Sequence, residues 1–166
     1  MTVASANGHT PAGAALTELI LDVVRLNGRL IGAGDRRVAD IRLTSARCQV
    51  LGAIALAETP LPVADLARNM ALTRQRQAVQ RIVDELAEDG VVEFAPNPHH
   101  RRAKLLLFTE HGLRLHRAAV DRRVPWVNGL ADALREQDIT VTRHLVHTLL
   151  ERLDPRSTSV GTTSDR

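Results

Sequence analysis

Aromatic side chains are nearly absent from this chain of 166 residues, which holds no Tyr, one Trp and two Phe. Any core must be assembled from Leu, Val, Ile and Ala, a palette that favours helices. Cysteine is as scarce: the single Cys48 excludes an intrachain disulfide and suits a reducing compartment. No stretch approaches the roughly 20 apolar residues of a membrane-spanning helix. Residues 1–13 lack the basic start and apolar run of a secretory signal, so the expected location is the cytoplasm, away from membranes. A phosphate-binding glycine loop, a nucleophile elbow and a zincin helix are all missing, so neither enzymatic activity nor a cofactor is expected. Lysine occurs once, as Lys104; the remaining basic residues are Arg, the better bidentate partner for phosphate and guanine. The net charge of +3 is too small to signal nucleic-acid binding by itself, so the placement of the charges has to carry that question.

What the chain does have is helical periodicity between two polar ends. Residues 1–13 and 154–166 are rich in Ser, Thr, Gly and Pro and read as disordered tails around one domain, 14–153. Leu16, Leu19, Ile20, Val23, Leu26, Leu30 and Ile31 form a single helical stripe, which Gly32 and Gly34 should end. A second helix should start after Thr44, a good N-cap, and present Val50, Leu51, Ile54 and Ala55 before Thr59-Pro60. Pro62 opens a short third helix with Val63, Leu66, Ala67 and Met70 inward, and Ala71-Leu72-Thr73 reads as a tight turn. Val79, Ile82, Val83 and Leu86 form the inward face of the next helix, whose stop is Gly90. Residues 91–95 and 103–108 are β-prone and flank a polar connection, giving a hairpin with a basic tip. Thr109 caps a helix that Pro125 should kink, and a last helix runs from about Asp138 to Leu153 with more apolar surface than it needs alone. The fold class is thus mainly α with a small β element.

A short helix, a tight turn and a second helix with a polar outer face is the arrangement that fits the major groove of B-DNA, and a basic hairpin beside it can reach phosphates and the minor groove. The candidate base-reading residues are Thr73, Arg74, Gln75, Arg76, Gln77 and Gln80, because Arg suits guanine and Gln suits adenine. Arg81, with His99, His100, Arg101, Arg102 and Lys104 of the hairpin, suits the backbone or the minor groove.

Leu43-Thr44, Leu66-Ala67, Leu72-Thr73-Arg74-Gln75, Val79 to Leu86, Gly90 and Asn97-Pro98-His99-His100-Arg101-Arg102 together resemble MarR-type repressors. Arg102, Leu106, Phe108 and Thr109, followed by Glu110-His111-Gly112, resemble that family's wing motif and the helix start after it. The resemblance implies a winged helix-turn-helix reading head over 43–109 and dimerisation helices over 14–34 and 110–153. It implies a homodimer on a palindromic operator in double-stranded DNA, acting as a repressor relieved by a small-molecule effector. Two departures stand out. His100 occupies the place of the family's wing Asp, and Arg74-Gln75-Arg76-Gln77 carries two residues more than the usual pattern, enough to add about half a helical turn.

Other readings use residues the motif leaves over. A winged helix can be a protein-interaction module that never touches DNA. Cys48 or the seven His, among them His99-His100 and the i, i+3 pair His144 and His147, raise a thiol- or metal-responsive regulator of the same fold. A lone Cys on an inward helix face is more often a small apolar residue, and the His spacing offers no set of three or four ligands. Trp126 reads as a packing residue, and the effector pocket is unknown from sequence.

Overall fold

The computed structural model describes residues 8–70, 75–100 and 102–153. In chain order these form α1 (Pro11–Val38), a single 3₁₀ turn (Ala39–Ile41), α2 (Ser45–Leu56), α3 (Val63–Asn69), α4 (Arg76–Glu88), β1 (Val92–Ala95), β2 (Leu105–Phe108), α5 (Glu110–Ala131) and α6 (Glu136–Leu153). The chain divides into two compact units, Met1–Arg123 and Val124–Arg166.

In the first unit, α1 starts earlier and ends later than its sequence pattern suggests. Thr10 caps it by accepting the Gly13 N–H at 3.0 Å, and Pro11 opens its first turn, so residues 11–13 are helix rather than tail. Gly32 and Gly34 do not end it. Glycine inside a helix costs about 0.5–1 kcal/mol, but Gly34 makes room for a close approach: a Cβ there would stand 2.5 Å from Ser45 Oγ. That hydroxyl donates to the Ile31 carbonyl at 2.9 Å, and the Asp35 carboxylate accepts the Ser45 N–H, so α1 is sewn to the start of α2. The bond from Ser45 holds the Asp35 carboxyl below its ordinary range. The chain leaves the 3₁₀ turn through Arg42, the one described non-glycine residue with positive φ (+56°).

Helices α2, α3 and α4 and the hairpin share one core. Thr44 caps α2 through the Arg47 N–H. Leu51, Leu66, Val83, Leu86, Val91 and Val92 are fully buried among Val50, Ala67, Val79 and Leu106. Ala55, expected inward, is exposed. The tight turn expected at Ala71-Leu72-Thr73 lies outside the described residues. Gly90 ends α4 in the left-handed conformation (φ +67°), where the Val91 N–H donates to Leu86 O at 2.8 Å. Strands β1 and β2 pair antiparallel from Val92↔Phe108 to Ala95↔Leu105, and Leu61 adds an isolated bridge to Leu106 on the outer edge.

The start of α5 closes this core. The Thr109 hydroxyl donates to Gly90 O at 2.7 Å, with Val91 O 3.1 Å away, and accepts the Gly112 N–H. Gly112 is buried so tightly that a Cβ would stand 1.9 Å from Val91 O. One turn on, His116 lies against Phe108 with ring centroids 5.6 Å apart. Pro125 does not end the helix, which α5 continues to Ala131.

In the second unit α6 buries none of its residues, and Ile139, Val141, Leu145, Val146, Leu150 and Leu153 are all exposed. Among the described residues no helix is long and apolar enough to cross a membrane.

Two consequences are measurable. Gly112→Ala forces the Val91 carbonyl to shift and should cost about 1–3 kcal/mol; chemical denaturation checks it, and an unchanged midpoint would show that α5 does not need this approach. Burial, with Arg123 as the lesser cause, lowers the His116 pKa below its ordinary 6.5. The folded chain then binds fewer protons there than the unfolded chain, so stability is present above pH 6.5 and declines as pH falls from 6.5 towards the depressed folded value. The melting temperature should therefore drop between pH 7.5 and pH 5.5, and His116→Phe should flatten that part of the profile.

Candidate nucleic-acid interface

The polar face of α4 follows from its apolar one. Val79, Val83 and Leu86 are buried on the inner side, which turns Arg76, Gln77 and Arg81 outward, all exposed. Gln80 is half-buried and donates its amide N–H to Asp84 Oδ1 at 2.8 Å, so its head is fixed one turn from its backbone. Gln75 sits at the N-cap position, exposed and outside the helix. Thr73 and Arg74 lie outside the described residues. Of the Arg-Gln repeat, Arg76-Gln77 begins the helix and Gln75 does not extend it.

Charges along α4 run against its own dipole. Its first turn has no acid and its last turn no base; Arg76 opens the positive end with Arg81 in the second turn, while Glu85, Glu88 and Asp89 crowd the negative end. Each such charge near a terminus costs about 0.3–1 kcal/mol when unanswered. The acidic end is answered from α2: Arg47, with only 18% of its side chain exposed, pairs with Asp89 at 2.8 Å and Glu85 at 3.5 Å. Glu85 and Asp89 are thus partly structural. Sequence reasoning passed over Arg47, although the four-residue step from Glu85 to Asp89 puts both acids on one face for a single guanidinium. Among the described residues, only Arg81 in the basic half meets an acid, Glu85, at 3.9 Å.

The hairpin tip is held by short-range bonds. Asn97 Oδ1 accepts the His99 N–H at 3.0 Å, Asn97 O accepts the His100 N–H at 3.3 Å, and His100 O accepts the Ala103 N–H at 3.0 Å. A β-turn and an Asx turn therefore lead into His100, which stands where the usual wing motif has Asp. His99, His100, Arg102 and Lys104 are exposed, and Arg101 lies outside the described residues. Helix face and tip belong to the same unit and offer exposed cations and amides.

The leftover residues divide. Cys48 is half-buried and burial pushes its thiol pKa up, with Arg123 opposing and Asp35 adding to the shift, the reverse of a reactive thiolate. No group of three His, Cys, Asp or Glu among the described residues could hold a metal ion. Trp126 is half-buried on α5.

The MarR family model matches residues 43–103. An uncharacterized protein of Mycobacterium tuberculosis is 33% identical over 138 residues, 83% of this chain and 94% of its own length. The transcriptional activatory protein BadR of Rhodopseudomonas palustris is 28% identical over 123 residues, 73% of this chain and 68% of its own. Among solved structures, CouR from Rhodococcus jostii RHA1 bound to p-coumaroyl-CoA has a TM-score of 0.64 at 26% identity, covering 86% of this chain and 92% of CouR. A MepR–DNA complex from S. aureus has a TM-score of 0.70 at 17% identity over 79% of this chain and 93% of MepR, which speaks for the fold alone. With residues 43–103 matched by the family model, this chain belongs to the MarR family of winged-helix transcription regulators.

Proposed function

We propose that the protein binds a palindromic operator in duplex DNA as a homodimer, with α4 in the major groove and the hairpin on the flanking minor groove. The observation that carries this reading is the inverted charge order of α4, which brings Arg76 and Gln77 to the helix end whose dipole already favours anions, with Arg81 in the following turn. That order costs stability in the free chain and is rewarded by phosphate. Arg76, Gln77 and Gln80, with Thr73, Arg74 and Gln75, take the base edges; Arg81, His99, His100, Arg101, Arg102 and Lys104 take the backbone and minor groove.

Dimer formation is supported by α1, where Ile20, Leu21, Val23, Val24, Leu26, Leu30 and Ile31 are 40–64% exposed. That much apolar surface on one helix calls for a partner. The exposed apolar residues of α6 add to it. A dimer seated on a promoter excludes polymerase, so repression is the proposed outcome, relieved by a small-molecule ligand as p-coumaroyl-CoA's place in CouR suggests. BadR is named a transcriptional activatory protein, so a relative of this chain carries the opposite sign.

The rival reading, a winged helix that binds only proteins, is separated by salt. A DNA dimer neutralising several phosphates must lose affinity steeply with ionic strength, and a protein-only module binds no duplex. On a duplex selected from a random pool, Arg76→Ala should cost about 1–3 kcal/mol and relax preference at one base pair. Arg102→Ala should weaken all sequences alike and reduce the salt slope, without lowering the melting temperature; unchanged affinity in a gel-shift titration would remove Arg102 from the interface. Val24→Glu, at an exposed site on α1, should convert the dimer to monomer in sedimentation and abolish tight binding to a palindrome while half-site binding survives. A dimer that persists would move the interface off α1.

A further inference from the structure

Asp84 is exposed midway along α4, on the side of the helix that carries Gln77 and Gln80. Arg47 takes Glu85 and Asp89, but the partner of Asp84 among the described residues is the Gln80 amide, whose Nε2 donates to Oδ1 at 2.8 Å. We propose that Asp84 is a positioning residue for DNA reading. It fixes the Gln80 amide with its oxygen towards the base, so that the pair selects a base bearing an exocyclic amino group, adenine or cytosine, at one position of each half-site. The proposal rests on the reading of α4 as the major-groove helix and names the base chemistry that one of its residues takes.

A Gln side chain left to itself is ambiguous. Its amide can turn over and present either N–H donors or an oxygen acceptor, so it meets guanine O6 and N7 or thymine O4 as readily as adenine N6 or cytosine N4. A carboxylate has acceptors only, so the end of the amide that faces Asp84 has to be nitrogen. Turning the amide over would set Oε1 against Oδ1, two acceptors with no hydrogen between them, and would forfeit the bond. Nitrogen at Asp84 commits Oε1 to the other end of the amide. There, with the remaining N–H, it can take adenine N6 and N7 together or cytosine N4 alone.

Place on the helix gives this bond more than the small stabilisation that any i, i+4 Gln–Asp pair lends its own helix. Gln80 follows Arg76 by one turn and adjoins Arg81, so its amide lies among the side chains that meet DNA in this reading. Its stem is half-buried and therefore held, which leaves the orientation of the head as the remaining freedom, and Asp84 removes it. A carboxylate exposed on a face that approaches phosphate is repelled by it. Asp84 opposes affinity in that position and contributes selectivity through Gln80.

The test is the affinity of the full chain for duplexes that carry each of the four base pairs in turn at every position of a site selected from a random pool. At one position per half-site, adenine or cytosine on the contacted strand should be preferred over guanine or thymine by about tenfold, and Gln80→Ala should abolish that preference there alone. In Asp84→Asn the new amide can donate to Gln80 Oε1 as well as accept from Nε2, so the Gln80 head turns over and the preference should nearly vanish. Combining Gln80→Glu with Asp84→Asn restores an acceptor-only head held by a donor, and should bring the preference back in favour of cytosine. A merely structural pair would lower the melting temperature and weaken every duplex alike. That result, a preference that survives Asp84→Asn, or a Gln80-dependent preference for guanine or thymine overturns the proposal and leaves DNA binding standing. Absence of any selective duplex binding overturns both.

Discussion

The whole reading head hangs on the approach of the first turn of α5 to the Val91 backbone. Within four residues, Thr109 and Gly112 engage the end of α4 through Gly90, the start of β1 through Val91 and, by chain continuity, the end of β2. Because Gly90 is left-handed, α4 stops and reverses into β1 with its last carbonyls satisfied. The wing is thus fixed to the reading helix by three consecutive backbone elements and needs little side-chain volume to stay there. This suits a core almost without aromatics, in which Phe94 and Phe108 are only half-buried and the packing is done by Leu and Val.

With position set in this way, charge on α4 is free to follow function. Its basic and acidic residues sit at the ends where the helix dipole opposes them, an arrangement that local stability alone would not select. Arg47 offsets the acidic end through a neighbouring helix, and among the described residues nothing comparable offsets Arg76. One half of the helix is therefore neutralised inside the protein and the other half is left to whatever binds it.

Most of the fold was legible because its signals are local. The inward stripe Val79, Val83 and Leu86, the caps Thr44 and Thr109 and the stop at Gly90 each act within one or two helical turns of their own position. The failures share the opposite property. Gly32 and Gly34 looked like a helix end because their use, the closeness of Ser45 Oγ to Gly34, involves a residue 11 positions away whose approach no periodicity announces. Arg47 and Asp40 likewise pair with residues 38 to 82 positions away. Gly112 was read by resemblance, and its physical reason, a carbonyl where a Cβ would be, belongs to tertiary structure. On the candidate face, the exposure of Arg76, Gln77, Arg81 and Arg102 was legible from pattern, whereas the Gln80 amide's commitment to Asp84 was not.

Helix α1 makes the remaining argument for assembly. It is 28 residues long, yet Val38 alone of them is buried. Its last turns are pinned by Ser45, Asp35 and the 3₁₀ turn, but the stretch from Ile20 to Ile31 exposes seven large apolar side chains to water. Most helical stability in proteins comes from packing an apolar face, since propensity by itself leaves isolated helices marginal. Thr10 and the C-terminal latch can nucleate the two ends; they cannot pay for the middle. A partner surface over this stripe would supply the missing burial, which is the ground on which the proposed dimer stands.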